Sequence, residues 1–208
     1  MNPLPLKRSA FSLIELLIVV AIIAVLAALA MPAFNSIRGA GGLTKAANDI
    51  AGILEQARAH AMAQNTYAWV GFRKEGQDGL MVGVISSKTG SSNPSSDVVQ
   101  LGKLVRFDNI RLVDDLPQYG TRPADTNSVD QLEGATDAAL AFTIGTNSFS
   151  SQVIRWNSRG EARLDAAQLS RHIEIGLQAS AGGVVRNAAN SAVVQIGGLS
   201  GAVIVYRP

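Results

Sequence analysis

A long apolar run near the amino terminus constrains the fold of this chain more than any other feature. Every residue between Leu16 and Met31 is apolar, and with its flanks the run covers residues 11–34. As a helix this run is about 36 Å long at about 1.5 Å per residue, and the hydrocarbon core of a bilayer is about 30 Å thick. Lys7 and Arg8 precede the run and favour a cytoplasmic amino terminus. The sequence therefore predicts a single membrane span, with the rest of the chain on the other side.

Three interpretations of this run are compatible with its residues. The first is a plain single-span anchor. The second is a secretory signal peptide, with Ala28-Leu29-Ala30 as the cleavage site and a mature chain that begins at Met31. In that case the product is an exported soluble protein, and an enzyme is among the alternatives. The third interpretation is a helix that is cut at its start and then packs against other helices, and it depends on Glu15.

Glu15 is a carboxylate inside the apolar run. Such a residue costs about 2.5–3.5 kcal/mol on membrane-insertion scales, and residues 11–34 contain no lysine or arginine. Cleavage between Ala10 and Phe11 would create an α-amino group one helical turn before Glu15. The amine of the same chain, or that of a neighbouring subunit, could then pair with the carboxylate. Such a pair would fix the register of a helical bundle, a role with precedent for buried polar groups.

The stretch Ala10-Phe11-Ser12-Leu13-Ile14-Glu15-Leu16-Leu17 resembles the processing site of type IV pilins and type II secretion pseudopilins. That family has Gly-Phe-Thr/Ser-Leu-Ile-Glu-Leu, is cut after the glycine and is methylated on the new phenylalanine amine. Here Ala10 replaces the glycine, and Pro32 falls where many pilins also have a proline. The resemblance implies cleavage after Ala10 by prepilin peptidase, N-methylation of Phe11 and assembly through Glu15.

The helical pattern continues beyond the apolar run. Pro32 predicts a bend or local melting, because proline cannot donate to the residue four positions back. The glycine-rich residues 39–42 form a second weak point. Apolar residues then recur at helical spacing over residues 43–64, which predicts an amphipathic helix with one face on a sheet. The stretch 53–62 also resembles the helix of H-type minor pseudopilins and FimT-like pilins.

The remaining sequence predicts a β-rich domain. Glycine-, serine- and asparagine-rich turns separate short apolar runs, which indicates many short strands. The predicted fold class is α+β, a long amino-terminal helix packed on an antiparallel sheet, which is the pilin fold. Residues 114–137 are polar and predict a loop without strands. The predicted strands are 66–73, 80–86, 98–107, 110–113, 140–144, 153–156, 172–177, 193–196 and 202–206. The predicted domains are a leader peptide (1–10), a transmembrane half-helix (11–34), an amphipathic half-helix (35–65) and a globular domain (66–208).

The sequence offers little for catalysis or metal binding. It contains no cysteine, which excludes disulfides and thiolate chemistry. Its two histidines, His60 and His172, are isolated from each other and have no ligand spacing. Several aspartates cluster loosely without the pattern of a calcium-binding loop, so solvated loop acids are the expected interpretation. They are Asp114, Asp115, Asp125, Asp130 and Asp137. We therefore expect no enzyme activity, no cofactor and no metal.

The arginines of the last third raise the question of nucleic acid. Arg155, Arg159 and Arg163 could contact phosphates, and some FimT-like pilins bind DNA during uptake. However, the formal net charge of the chain is only +2, and Lys7 and Arg8 account for it. A solvated surface is therefore the preferred interpretation, and nucleic acid is not an expected partner.

The sequence as a whole predicts a minor pilin or pseudopilin of a type II secretion pseudopilus or type IV pilus. Its expected partners are other pilin-like subunits, prepilin peptidase, the inner-membrane assembly platform and the lipid bilayer. Its expected location is the inner membrane, with the carboxy-terminal domain outside the cytoplasm. The alternatives are a DNA-binding minor pilin of an uptake system and an exported soluble protein.

Overall fold

The computed structural model describes residues 13–95, 97–113, 129–185 and 190–207, with side chains described there except at 28–41 and 181. The chain divides into two compact units, Met1–Arg38 and Gly39–Pro208.

The only α-helix in the described ranges is α1 (Leu13–Ala63). The helix runs through Pro32 and the glycine-rich residues 39–42. The bend predicted at Pro32 stays a prediction. The helix ends in a left-handed cap, because Asn65 has a φ of 48°. There the Thr66 N–H donates to the Ala61 carbonyl at 2.9 Å and the Asn65 N–H donates to the Met62 carbonyl at 3.3 Å. These bonds form a Schellman motif, which satisfies two of the last carbonyls of the helix.

Short strands make up most of the regular secondary structure described in the second unit. One 3₁₀ turn, Ala138–Leu140, lies between the sixth and seventh of them. In the described residues the strands are β1 (Ala68–Glu75), β2 (Gly79–Ser87), β3 (Val98–Gln100), β4 (Val105–Asp108), β5 (Ile110–Val113), β6 (Val129–Gln131), β7 (Phe142–Ile144), β8 (Asn147–Phe149), β9 (Val153–Trp156), β10 (Ala162–Arg163), β11 (His172–Ala181), β12 (Val184–Val185), β13 (Ser191–Gly197) and β14 (Val203–Tyr206).

The strands form two six-stranded sheets and one hairpin. The first sheet has the order β10-β9-β1-β2-β3, with β4 also paired to β2. The second has the order β12-β11-β13-β14, with β5 and β6 also paired to β11, and β7 and β8 form the separate hairpin. The pairing of β6 with β11 is parallel, whereas the other described pairings are antiparallel. The predicted α+β class with antiparallel sheets is therefore confirmed.

Several strand boundaries differ from the sequence-based expectation. Strands β5 and β9 have the predicted bounds. The single strand predicted over residues 98–107 is wrong, because Gly102 takes a φ of 76° and separates β3 from β4. The prediction that residues 114–137 contain no strand is also wrong, because Val129–Gln131 pairs with β11. The strand predicted over residues 140–144 begins late, after the 3₁₀ turn.

The main core of the second unit combines helix and strand side chains. Leu43, Ile50 and Leu54 are fully buried on α1, at helical spacing. They share one hydrophobic cluster with residues of both sheets, among them Phe72 and Ile175. The amphipathic pattern read from the sequence therefore picks out the buried residues of this part of the helix.

A smaller core lies under the β7–β8 hairpin. Phe142 and Phe149 stack there with ring centroids 4.9 Å apart. They lie on Gly71 and Gly83, which face each other across β1 and β2. A Cβ atom on Gly71 would come within 2.7 Å of the Phe142 ring. Two glycines at facing positions thus leave room for the aromatic pair.

Candidate functional site in the amino-terminal helix

The first turns of α1 present apolar side chains on every side. The large apolar side chains from Leu13 to Leu26 are all exposed within their unit, from 44% for Val19 to 82% for Leu13. Each Å² of apolar surface left in water costs about 25 cal/mol, and extended apolar surfaces mark contacts with proteins or membranes. The exposed apolar residues of this part of the helix are Leu13, Ile14, Leu16, Leu17, Ile18, Val19, Val20, Ile22, Ile23, Val25 and Leu26.

Glu15 lies in the first turn of α1. A carboxylate at that end of a helix interacts favourably with the positive end of the helix dipole. In the described part of the chain, no helix satisfies the combined length and hydropathy requirement for crossing a membrane.

Most of the predicted processing site lies outside the described residues. This applies to Lys7, Arg8, Ala10 and Phe11. Their predicted roles in topology, cleavage and methylation therefore stay predictions, as does the pairing of Glu15 with the amine of Phe11.

The three arginines considered for DNA binding lie together on one hairpin. Arg155 on β9 directly faces Arg163 on β10, and Arg159 lies in the turn between the two strands. The Arg159 Nε atom is 3.1 Å from Glu161 Oε1, and the Arg163 Nη2 atom is 4.0 Å from Glu161 Oε2. A hydrogen bond from the Asn157 amide, at 2.6 Å, and the nearby arginines lower the pKa of Glu161. The charges of this hairpin are thus partly balanced internally.

Arg155 is engaged within the domain. Its guanidinium lies 5.6 Å from the centre of the Tyr67 ring, and its Nη2 donates to the Ala166 carbonyl at 3.2 Å. Partial burial and the facing Arg163 lower the pKa of Arg155. The side chain of Arg159 is 75% exposed and that of Arg163 only 25%. Of the three arginines, Arg159 alone is therefore open to a phosphate.

The structure does not bring the histidines together. His60 lies in the last turn of α1, beside a 130 Å³ cavity that Ile53 and Leu101 also line. His172 begins β11 and pairs with Gly197 and Val129. Among the described residues no cluster of three or more His, Asp or Glu side chains could hold a metal ion.

The aspartates considered for calcium are only partly described. Asp114, Asp115 and Asp125 lie outside the described residues. Asp130 lies on β6. Asp137 caps the 3₁₀ turn by accepting from the Ala139 N–H at 2.8 Å, and it also accepts from the Ala166 N–H.

A polar pair on α1 makes a contact that the sequence analysis missed. The Arg58 Nη2 atom donates to the Ser200 carbonyl at 2.7 Å, and the Val203 N–H donates to Glu55 Oε1 at 3.2 Å. A Cβ atom on Gly201, whose φ is 66°, would lie 2.6 Å from Arg58 Nε. Glu55 and Arg58 therefore hold the β13–β14 turn, although their spacing alone is that of an ordinary exposed ion pair.

Asp78 makes a second link that no local pattern indicates. It lies in the β1–β2 turn, and its Oδ2 accepts from the Gly183 N–H at 2.8 Å in the β11–β12 turn. The Ser180 hydroxyl beside it, the N–H groups of Gly183 and Gly182, and Arg111 lower the pKa of Asp78. Neither the Ser180 hydroxyl nor Asp78 Oδ1 makes a hydrogen bond of ordinary geometry, so the Gly183 bond is the firm contact. The carboxylate joins the two sheets.

The comparison with known families places one recognised motif on the amino-terminal segment. A family model described as a prokaryotic N-terminal methylation motif matches residues 5–31. That range contains Lys7, Arg8, Ala10, Phe11 and Glu15. No curated protein and no solved structure gives a significant match to the chain. The motif supports a type IV pilin-like chain that prepilin peptidase processes and that assembles with other pilin subunits.

Proposed function

We propose that this chain is a minor pilin-like subunit, a pseudopilin, of a type II secretion pseudopilus or a type IV pilus. One observation carries the proposal: the methylation-motif match covers residues 13–26 of α1, where the large apolar side chains are all exposed. A helix that is apolar on all sides requires lipid or other helices as cover. In a subunit that passes from a bilayer into a helical bundle, lipid covers the apolar helix first and neighbouring helices cover it afterwards.

The mechanism is mechanical and contains no catalytic step. Lys7 and Arg8 orient the chain, and residues 11–34 hold it in the inner membrane. Prepilin peptidase cuts after Ala10, and the new amine of Phe11 is methylated. The inner-membrane platform then moves the helix into the filament. There Glu15 pairs with the amine of its own or a neighbouring Phe11 and sets the axial step.

The second unit supports the same proposal at the level of architecture. A helix segment with one buried face, followed by antiparallel sheets, is the arrangement expected of a pilin globular domain. In this proposal the domain lies outside the cytoplasm, on the filament surface. The proposed H-type subgroup, and with it a minor role in starting assembly, rests on the helix resemblance at residues 53–62.

The test is intact-mass and amino-terminal peptide analysis of the full chain, purified from the membranes of the cells that produce it. A mature chain that begins at N-methyl-Phe11 is the expected result. Ala10→Gly is the matched control, because it restores the glycine of the family motif and should give the same start with equal or more complete cleavage. A mature chain that begins at Met31 would overturn the proposal and favour an exported soluble protein. A chain that still begins at Met1 would also overturn it.

A Glu15→Gln variant separates processing from assembly. The amide keeps the shape of the side chain but removes the charge that pairs with the Phe11 amine. We expect cleavage after Ala10 to continue and incorporation into filaments to fall at least about tenfold, the equivalent of about 1.4 kcal/mol. Incorporation at the wild-type level would contradict the register role of Glu15.

DNA binding by the second unit has weaker support. Arg155 and Arg163 face each other beside Glu161, and Arg155 is held by Tyr67 and Ala166. Phosphate binding would have to rely mainly on Arg159. A salt titration of full-length protein with duplex DNA tests this alternative, since phosphate contacts give binding that weakens as salt rises. Binding at low salt that Arg159→Ala abolishes would establish it.

A further inference from the structure

Strand β14 is an edge strand of the second sheet. Within the described residues it pairs only with β13. Its sequence, Val203-Ile204-Val205-Tyr206, contains no charge, glycine or proline. Natural edge strands are usually protected by lysine, proline or a bulge, because their free N–H and C=O groups can pair with another chain. This edge has none of these protections within the strand itself.

The hairpin geometry shows which backbone groups point outward. The Gly197 N–H donates to the Ala202 carbonyl at 3.0 Å, so these two residues form a hydrogen-bonded pair. Bonded and non-bonded pairs alternate along an antiparallel ladder. The backbone groups of Val203 and Val205 therefore point away from β13. Val203 donates to Glu55 at 3.2 Å, whereas Val205 has no hydrogen bond on this side within the described part of the chain.

The side chains around this edge define what could lie against it. Ile204 is 48% exposed and Leu199, in the preceding turn, is 65% exposed. Arg207 directly follows the strand, and its Nη1 atom is buried and has no hydrogen-bond partner among the described residues. The edge thus has apolar side chains in its middle, the Glu55 carboxylate at one end and, at the other, the positive charge of Arg207, whose side chain is half-buried.

We propose that the outer edge of β14 binds an extended strand of another pilin-like subunit. That strand has apolar side chains beside Ile204 and a carboxylate that reaches Arg207. Strand addition of this kind obtains its affinity from backbone hydrogen bonds and its specificity from side-chain contacts. That the partner is a pilin-like subunit rests on the proposed function. That its strand carries apolar side chains and a carboxylate is inferred from Ile204 and Arg207.

A second copy of β14 fits this edge less well. Two copies in antiparallel pairing about Ile204 would place Val203 of each opposite Val205 of the other. Of the four hydrogen bonds at the centre of that pairing, two need a Val203 N–H. Glu55 already holds that group in each copy, so a homotypic pair would lose half of these bonds. The carboxylate at Glu55 therefore disfavours self-pairing and leaves Val205 for a different strand.

The test is site-specific photocrosslinking in the cells that produce the protein. A photoreactive phenylalanine analogue replaces Ile204 in the full chain, and mass spectrometry identifies the crosslinked peptide. The expected adduct contains an extended apolar segment, with an Asp or Glu, from another pilin-like subunit. An adduct with a second copy of this chain, an adduct with a helix, or no adduct would each overturn the proposal.

Matched variants show whether the backbone edge carries the contact. Val205→Pro removes an outward N–H and leaves the bonds to β13 intact, and it should lower the adduct at least about tenfold, a loss of about 1.4 kcal/mol. Arg207→Gln, which is milder, should lower it severalfold, so that the test stands even where the proline variant folds poorly. Val99→Lys, on the exposed β3 edge of the other sheet, is the control and should leave the adduct unchanged. An adduct insensitive to both Val205→Pro and Arg207→Gln would overturn the proposal.

The amino-terminal peptide from the same sample separates this inference from the proposed function. A chain that begins at Phe11 but gives no adduct overturns the edge site alone. A chain that begins at Met31 overturns the proposed function and, with it, the identity of the partner.

Discussion

One helix carries two apolar regions with opposite environments. Between Leu13 and Leu26, in the first unit, large apolar side chains are at least 44% exposed, whereas Leu43, Ile50 and Leu54 in the second unit are fully buried. Both regions consist mainly of Leu, Ile, Val and Ala. They differ in the presence of a polar face, which only the second region has. Periodicity, rather than apolar content, thus distinguishes a helix that is covered by its own chain from one that needs cover from outside.

The largest difference in unfolding free energy should be that between two matched leucine substitutions, one in each region. Leu54→Ala leaves a cavity in the main core and should lower the free energy of unfolding by about 2–5 kcal/mol. Leu17→Ala removes an exposed side chain and should change it by less than about 0.5 kcal/mol. The measurement is urea unfolding of the full chain in detergent, followed by tryptophan fluorescence. Trp69 and Trp156 are both fully buried in the second unit, so the signal reports on that unit.

Leu17→Ala should instead affect assembly, because its side chain belongs to the surface that other helices are proposed to cover. Its incorporation into filaments is the readout. Equal destabilisation by Leu17→Ala and Leu54→Ala would break the comparison, since both regions would then be covered within the chain.

Local signals in the sequence predicted much of this architecture. Helical spacing identified the buried positions from Leu43 to Ala61, and apolar runs gave β5 and β9 with their bounds. The amino-terminal motif was readable because its residues are consecutive. Long-range contacts gave no such signal: Glu55 and Val203 are 148 positions apart and Asp78 and Gly183 are 105 apart. Strand β6 was missed because three residues in a polar stretch form a strand only through pairing with β11.

A pair of glycine substitutions sharpens the contrast between covered and open surfaces inside the second unit. Gly71→Ala places a Cβ atom 2.7 Å from the Phe142 ring and should cost about 1–3 kcal/mol through overpacking. Gly52→Ala lies on the exposed face of α1 with no atom within 4 Å and should stabilise the unit by up to about 1 kcal/mol. Thermal unfolding of both variants measures the difference. A Gly71→Ala variant that is as stable as the wild type, or more stable, would show that the aromatic hairpin moves aside without cost.

The two glutamates of α1 should separate stability from assembly. Glu55→Gln weakens the bonds to Val203 and Arg58, and it should cost about 1 kcal/mol, since the side chain is 47% exposed and partly screened. Glu15→Gln should leave the tryptophan-monitored unfolding unchanged while filament incorporation falls. A stability loss for Glu15→Gln as large as that for Glu55→Gln would mean that both carboxylates serve the folded unit.

The smallest effect at neutral pH, and the one most dependent on conditions, is expected at Asp78. Its pKa is lowered from the ordinary value of 3.8, so the folded state favours the ionised carboxylate. That stabilisation is complete above the unfolded-state pKa and disappears as the pH falls through the lowered folded-state pKa. Asp78→Asn should therefore unfold more easily than the wild type at pH 7, and the difference should shrink progressively below about pH 4. Ser180→Ala removes a hydroxyl that helps to lower the pKa of Asp78. In that variant the total loss of stability in acid should therefore be smaller and should be complete at a higher pH, whereas its onset near the unfolded-state pKa should not move. A difference between Asp78→Asn and wild type that stays constant from pH 7 into the acid range would show that the link between the two sheets does not depend on the charge of Asp78.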